Sequence, residues 1–373
     1  MRGNDSPIVK YLNNVTIGKI PLMVKSAICS LTTTNDVTAH KHECPMDPGG
    51  YFIISGSEKV VIGQERTAEN HPLCFNVAKS STAYSSFVDV KSVPHKKCIS
   101  PRQFSIMIAK ANNGYGHSIY TQISRIKQHI PIFILFRAYG IVADKDICEY
   151  IIGTAAADAD LFRPFLQASA VDAADVLTQH DALEYISKRA MFSAYKKTKA
   201  TAPAVAEEVE LEEIENRRAK FMTNVYENEL LPHCTDAVHK THFIGHMAQK
   251  LVLTNVGKLA YDDRDSYINK RVDTCGVLLN NLFRNYYNKL TKDMQKQIIY
   301  EINNGSWKST DSYENIMTHT NIYKIIKVST VENGMNRALS TGDFGTRNGN
   351  DKVGVAQVLN RLNYMSLLSH LRR

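Results

Sequence analysis

A single apolar stripe limits what this chain can fold into. Cys275, Leu278, Leu279, Leu282, Phe283, Tyr286, Tyr287 and Leu290 recur at three- and four-residue spacing. That spacing lines them along one side of an α-helix, which must be buried against a partner element. The stripe therefore predicts core packing, not a cofactor site.

The N-terminal part has the opposite texture. Residues 15–24 (VTIGKIPLMV), 49–63 (GGYFIISGSEKVVIG) and 87–93 (FVDVKSV) carry β-branched and aromatic residues between glycine and proline punctuation, and predict strands. From Asp144 the sequence turns alanine-rich and helical, as in residues 171–197. Strand-rich then helix-rich segments over 373 residues predict an α+β, multi-domain protein. Between Lys199 and Glu215, six glutamates follow the basic run Lys196, Lys197 and Lys199, which predicts a solvated, mobile excursion.

A formal net charge of +8 favours polyanionic partners, though only mildly. Seven cysteines with no CxxC pair and no regular spacing predict reduced thiols in an intracellular protein. The most apolar run, residues 130–141 (IPIFILFRAYGI), is too short to span a bilayer and carries Arg137, so no membrane partner is expected.

Three clusters invite a chemical reading. His40, His42 and Cys44 would share one face of a strand as zinc ligands, but no second ligand cluster lies near and a polar loop is the better reading. Asp262, Asp263 and Asp265 resemble a magnesium site, yet Arg264, Lys270 and Arg271 beside them favour a helix start with local ion pairs. Gly49, Gly50, Gly56, Ser57 and Lys59 lack Walker spacing. GxSxG, HExxH and dinucleotide fingerprints are all missing, so neither catalytic residues nor metal ligands are assigned.

Six collinear stretches nevertheless resemble one family. They are residues 17–29 (IGKIPLMVKSAIC), 43–66 (ECPMDPGGYFIISGSEKVVIGQER), 130–141, 230–234 (LLPHC), 261–271 (YDDRDSYINKR) and 353–373 (VGVAQVLNRLNYMSLLSHLRR). Together they resemble the second-largest, beta-type subunit of multisubunit DNA-directed RNA polymerases, in the eukaryotic, archaeal and large-DNA-virus branch. Residues 145–225 match poorly. The resemblance implies a protrusion over 1–65, an inserted lobe over 66–270, a return to the protrusion over 271–330 and the start of a helical fork over 331–373. It also implies that the chain is a segment of a longer subunit, without the start of the protrusion and without the parts beyond Arg373.

The family synthesises RNA on a DNA template by two-metal phosphoryl transfer. The resemblance implies that magnesium is held by other parts of the enzyme and that this segment needs no cofactor and is inactive alone. Implied partners are the largest and other polymerase subunits, the DNA template and the RNA–DNA hybrid, in the nucleus, or in host cytoplasm or virion for a virus.

The family's pattern places Arg347 and Lys352, in the glycine- and asparagine-rich residues 342–352, beside the hybrid, slightly shortened here. It places Gln357 toward the RNA path, and His370, Arg372 and Arg373 near nascent RNA. Phosphate contact suits arginine and reads no base. Arg361 would point away from Gln357 on a helix. Residues Val355, Val358, Leu359, Leu362, Met365 and Leu368 approximate a helical stripe, predicting that residues 355–371 are helical in part at a poorly ordered end. The alternative is a free-standing basic nucleic-acid-binding or assembly protein derived from this segment.

Overall fold

A computed structural model describes residues 11–33, 43–77, 82–94, 101–192, 204–305, 307, 319–345 and 353–373. One helical turn, Ser30–Thr33 (α1), comes first. Strands come next at Phe52–Ile54 (β1), Ser57–Val61 (β2), Gln64–Thr67 (β3), Leu73–Asn76 (β4), Tyr84–Ser92 (β5), Arg102–Asn112 (β6), His117–Ile123 (β7) and Ile130–Pro131 (β8). Helices then run Ile132–Ala138 (α2), Asp144–Ile152 (α3), Ala159–Val171 (α4), Gln179–Lys188 (α5), Ala204–Asn224 (α6) and Ala237–Val256 (α7). Strand Lys270–Asp273 (β9) leads to helices Cys275–Asn303 (α8), His319–Ile325 (α9) and Ser329–Thr341 (α10), then strand Ala356–Val358 (β10) and helix Tyr364–Arg372 (α11). Mixed helix and strand with several small sheets makes the fold α+β.

The chain divides into two compact units: Met1–Arg66 with Val272–Arg373, and the intervening Thr67–Arg271. Each has its own core. The inserted unit is built on a five-stranded antiparallel meander, β4-β5-β6-β7-β8. Along β5, Ser86, Val88, Val90 and Ser92 are buried and alternate with more exposed residues, as a strand covered on one face requires. Cys74, Val88, Phe104, Ile106 and Ile119 from the sheet join Phe133, Phe162, Ile244, Met247 and Leu251 from the helices in one cluster. The apolar run 130–141 becomes β8 and α2, whose seven residues are all buried. Arg137, 2% exposed, donates Nη1 to the carbonyls of Ala173 (2.7 Å) and Val176, and Nη2 to Asp144 (2.6 Å). A buried guanidinium is tolerable because carbonyls and a carboxylate replace its water. Among the described residues no helix is long and apolar enough to cross a membrane.

The other unit carries a three-stranded antiparallel sheet, β1-β2-β10. Its first hairpin pairs Ile54 with Ser57 across Ser55 and Gly56, both at positive φ (50° and 76°). That pair of conformations makes the primed two-residue turn that matches strand twist. Phe52, Ile54 and Ala356 form a core with Leu278, Leu282 and Leu290 of α8 and Val331, Met335, Ala338 and Leu339 of α10. A Cβ at Gly334 would collide with the Tyr286 ring, so glycine lets these two helices approach. The predicted stripe on α8 is thus core, except that Tyr287 is exposed.

Two expectations change and a third is refined. Residues 15–24 form no strand: only Met23 bridges Phe52, Val24 N–H reaches Tyr51, and Ile17, Ile20 and Leu22 are exposed. Pro21 has no N–H for a ladder, and the nearby Gly18 weakens a strand further. Residues 204–215 of the acidic stretch lie in helix α6, in keeping with the high helix propensity of alanine and glutamate; residues 199–203 lie outside the described residues. Residues 355–371 are helical in part, as expected, from Tyr364; 356–358 is strand instead, so the stripe does not lie on one helix, and Val358, Leu362 and Met365 are exposed. Asn363 and Ser366 form a capping box that starts this helix.

Candidate functional site

The site grows out of the face of the three-stranded sheet opposite the α8–α10 core. Pairing of β10 with β2 sets Gln357 opposite Val60 and Val358 opposite Lys59. Strand alternation therefore gives Gln357 the face shared by Tyr51, Glu58 and Val60. Tyr51, Val60, Leu359 and Leu367 pack there with Leu371, seating α11 on the sheet. This seating brings Gln357 and His370 together: His370 Nε2 lies 3.3 Å from Gln357 Oε1. Asn360 N–H donates to His370 Nδ1 (3.1 Å), so the ring proton sits on Nε2 and points at the glutamine oxygen. Gln357 Nε2 donates in turn to Gly354 O (3.3 Å).

Arg361 is the fastener of this arrangement. Its Nε and Nη2 grip Glu58 at 2.7 and 2.8 Å, and Nη2 also reaches Asp47 at 3.2 Å. The guanidinium lies over Tyr51, 5.2 Å from the ring centre, and the Tyr51 hydroxyl donates to Asp47 (2.7 Å). Bidentate guanidinium–carboxylate geometry is the strongest kind available to side chains. Burial tends to raise the Asp47 carboxyl, but the Gly49 N–H, the Tyr51 hydroxyl and Arg361 outweigh it and hold it below its ordinary value. Burial and then Asp47 push the Tyr51 phenol up to about 12. The sequence placed Arg361 on a helix facing away from Gln357; it precedes the helix and faces the hairpin, because the chain bends between β10 and Asn363.

Arg372 and Arg373 are exposed at the far end of α11. Arg347 and Lys352 lie outside the described residues. The described residues flanking them are paired: Val355 N–H donates to Gly342 O (3.0 Å) and Gly345 N–H donates to Asp343 (2.8 Å). The structure thus brings Gln357 and His370 into contact and puts Arg372 and Arg373 on the same helix as His370.

The acidic trio does not fit a metal. Asp262 Oδ2 takes the Lys250 ammonium and the Cys74 N–H, both at 2.8 Å, and Asp263 accepts the Asp265 N–H. Among the described residues no group of three or more such side chains could hold an ion. Cys44 is exposed, and His40 and His42 lie outside the described residues.

Sequence reading missed Asp47, Tyr51, Glu58 and Asn360. The Asp-Pro-Gly-Gly run marks Asp47 as a turn residue, and its Oδ1 does accept Gly49 N–H (2.9 Å). Nothing local signals its partner, 314 residues away.

Comparison with known proteins gives a consistent picture. The family described as RNA polymerase beta subunit matches residues 4–331. DNA-directed RNA polymerase II subunit 2 of Arabidopsis thaliana is 36% identical over 388 residues, covering 100% of this chain and 30% of that protein. DNA-directed RNA polymerase II subunit RPB2 of Encephalitozoon cuniculi is 34% identical, covering 98% and 29%. DNA-directed RNA polymerase subunit 2 of Acanthamoeba polyphaga mimivirus is 33% identical, covering 96% and 29%. The chain spans about 30% of the length of the relatives it matches.

Proposed function

The chain belongs to the RNA polymerase beta subunit family, and from that premise we propose that it supplies nucleic-acid-gripping parts of a DNA-directed RNA polymerase. The unit Thr67–Arg271 corresponds in this reading to the lobe, the flanking unit to the protrusion and, from residue 331, the start of the fork. Its partners are the largest and other polymerase subunits, the DNA template and the RNA–DNA hybrid, inside the cell or virion. Magnesium and the catalytic carboxylates belong to other parts of the enzyme, and this chain alone incorporates no ribonucleotide. The rival, a free-standing binding protein, is disfavoured by relatives named as polymerase subunits.

One observation carries the site. Gln357 and His370 meet at one end of α11, Arg361 is consumed by Glu58 and Asp47, and Arg372 and Arg373 remain exposed on the same helix. Exposed guanidiniums beside a polar pair hold phosphates and read no base, which suits a machine that accepts any sequence. The test is salt dependence. Engagement of about three phosphates gives a log–log slope of about −2 for single-stranded RNA. Replacing Lys352, Arg372 and Arg373 by alanine flattens that slope and leaves the melting temperature within error. An unchanged slope in the triple variant removes the site.

A further inference from the structure

The inserted unit holds a second charged cluster, arranged differently. Glu229, 7% exposed, faces two guanidiniums: Arg125 Nε at 2.8 Å and Arg102 Nη2 at 3.6 Å. Arg125 also lies over the Phe221 ring at 5.9 Å, Phe221 contacts Phe192 at 5.7 Å, and Arg218 lies over Phe192 at 5.9 Å. Two guanidiniums, Arg125 and Arg218, thus lie over two phenyl rings, and Arg125 shares one buried carboxylate with Arg102.

Two departures from regular backbone build this cluster. Arg125 stands at φ 67°, where glycine or asparagine is at ease and arginine is strained. Its conformation is locked because its carbonyl accepts Met191 N–H (2.8 Å) while the neighbouring Ile126 bridges Ala190. Helix α6 passes into a π-turn, Val225–Glu229, which aims Glu229 at the arginines. The Lys240 ammonium takes the Tyr226 and Glu227 carbonyls within that turn.

We propose that this surface docks an acidic segment of a partner protein, with aromatic or aliphatic residues among its carboxylates. Excess positive charge on ring faces, with Arg125 45% and Met191 54% exposed beside it, is the composition of a protein-binding hot spot. Phe192, Phe221 and the exposed Met191 beside the guanidiniums offer apolar contact that peptide side chains use and a phosphate backbone does not, while an incoming carboxylate can take over a guanidinium that now shares Glu229. Glu229 is then an internal competitor of the ligand.

The test titrates the whole chain with a fluorescein-labelled (Glu-Glu-Phe)4 peptide and, separately, with a dT12 oligonucleotide. Arg125→Gly relieves the backbone strain, so it folds, and it weakens the peptide about tenfold by removing a charge-assisted contact. Glu229→Gln frees both guanidiniums and tightens the peptide several-fold, a direction that a purely structural glutamate would not give. Neither variant changes dT12 binding, which keeps this outcome separate from that of the α11 site. Peptide affinity unchanged in Arg125→Gly overturns the proposal even if Glu229→Gln melts early. So does dT12 affinity that falls in Arg125→Gly while the peptide's does not.

Discussion

The two units treat arginine in opposite ways. In the flanking unit, one guanidinium, Arg361, is shared by two carboxylates and stacked on a tyrosine. In the inserted unit, Arg102 and Arg125 share one carboxylate. Where carboxylates outnumber the cation, the cluster is a fastener that ties residues 303 and 314 positions apart. Where cations outnumber the carboxylate, the cluster keeps unspent affinity for an anion. Counting charges along the sequence cannot separate the two cases; their partners do.

Each unit having its own core, the largest effects come from emptying either one. Phe162→Ala in the inserted unit costs about 3–5 kcal/mol and Leu339→Ala in the flanking unit about 2–5 kcal/mol, both side chains being fully buried. Hydrogen exchange resolved by segment should rise over 84–123 for the first and over 275–303 for the second. Equal acceleration of both segments by either variant would erase the division into units.

Gly334→Ala tests the close approach of α8 and α10. The added methyl meets the Tyr286 ring and costs about 1–3 kcal/mol in a urea titration, unless the ring swings aside. Gly276→Ala, whose Cβ meets nothing within 4 Å, is the matched control and leaves the midpoint where it was or raises it.

Much of the frame could be read from the sequence, because periodicity reports burial. The α8 stripe, the hairpin 52–61 and the helical turn of texture at Asp144 all come from local pattern. The end of the chain misled because Val355 and Leu359 are four apart and both buried, as on a helix, yet strand and bend separate them. The signals against a helix were present in Gly354 and in the Asn363 cap. The family resemblance singled out Gln357 and His370 separately, but neither their contact nor the grip of Arg361 on Glu58 and Asp47 was legible. Long-range ion pairs leave no trace in local spacing.

Smaller effects sharpen the contrast between fastener and open site. Arg361→Ala leaves Asp47 and Glu58 without their shared partner and costs about 1–2 kcal/mol, kept low by the partial exposure of the pair. Exchange at Leu359, whose N–H donates to Glu58 O, should quicken with it. The smallest effect is acidic. Because the folded Asp47 carboxyl lies below its ordinary value of 3.8, its contribution is full above that value and is lost as pH falls through the lower, folded one. Asp47→Asn should therefore shrink the stability difference between pH 5 and pH 3; an identical pH profile would mean that Asp47 is not held by Arg361.

In the proposed function nucleic acid meets this chain at residues 353–373, around helix α11, and not on the guanidinium cluster of the inserted unit. Ultraviolet crosslinking of 4-thiouridine-labelled RNA, with peptide mapping of the adducts, measures this directly. Crosslinked peptides are expected from 353–373, and they are lost when Lys352, Arg372 and Arg373 are replaced by alanine. Crosslinks concentrated in 102–125 or 214–229, and unaffected by that triple replacement, would contradict it.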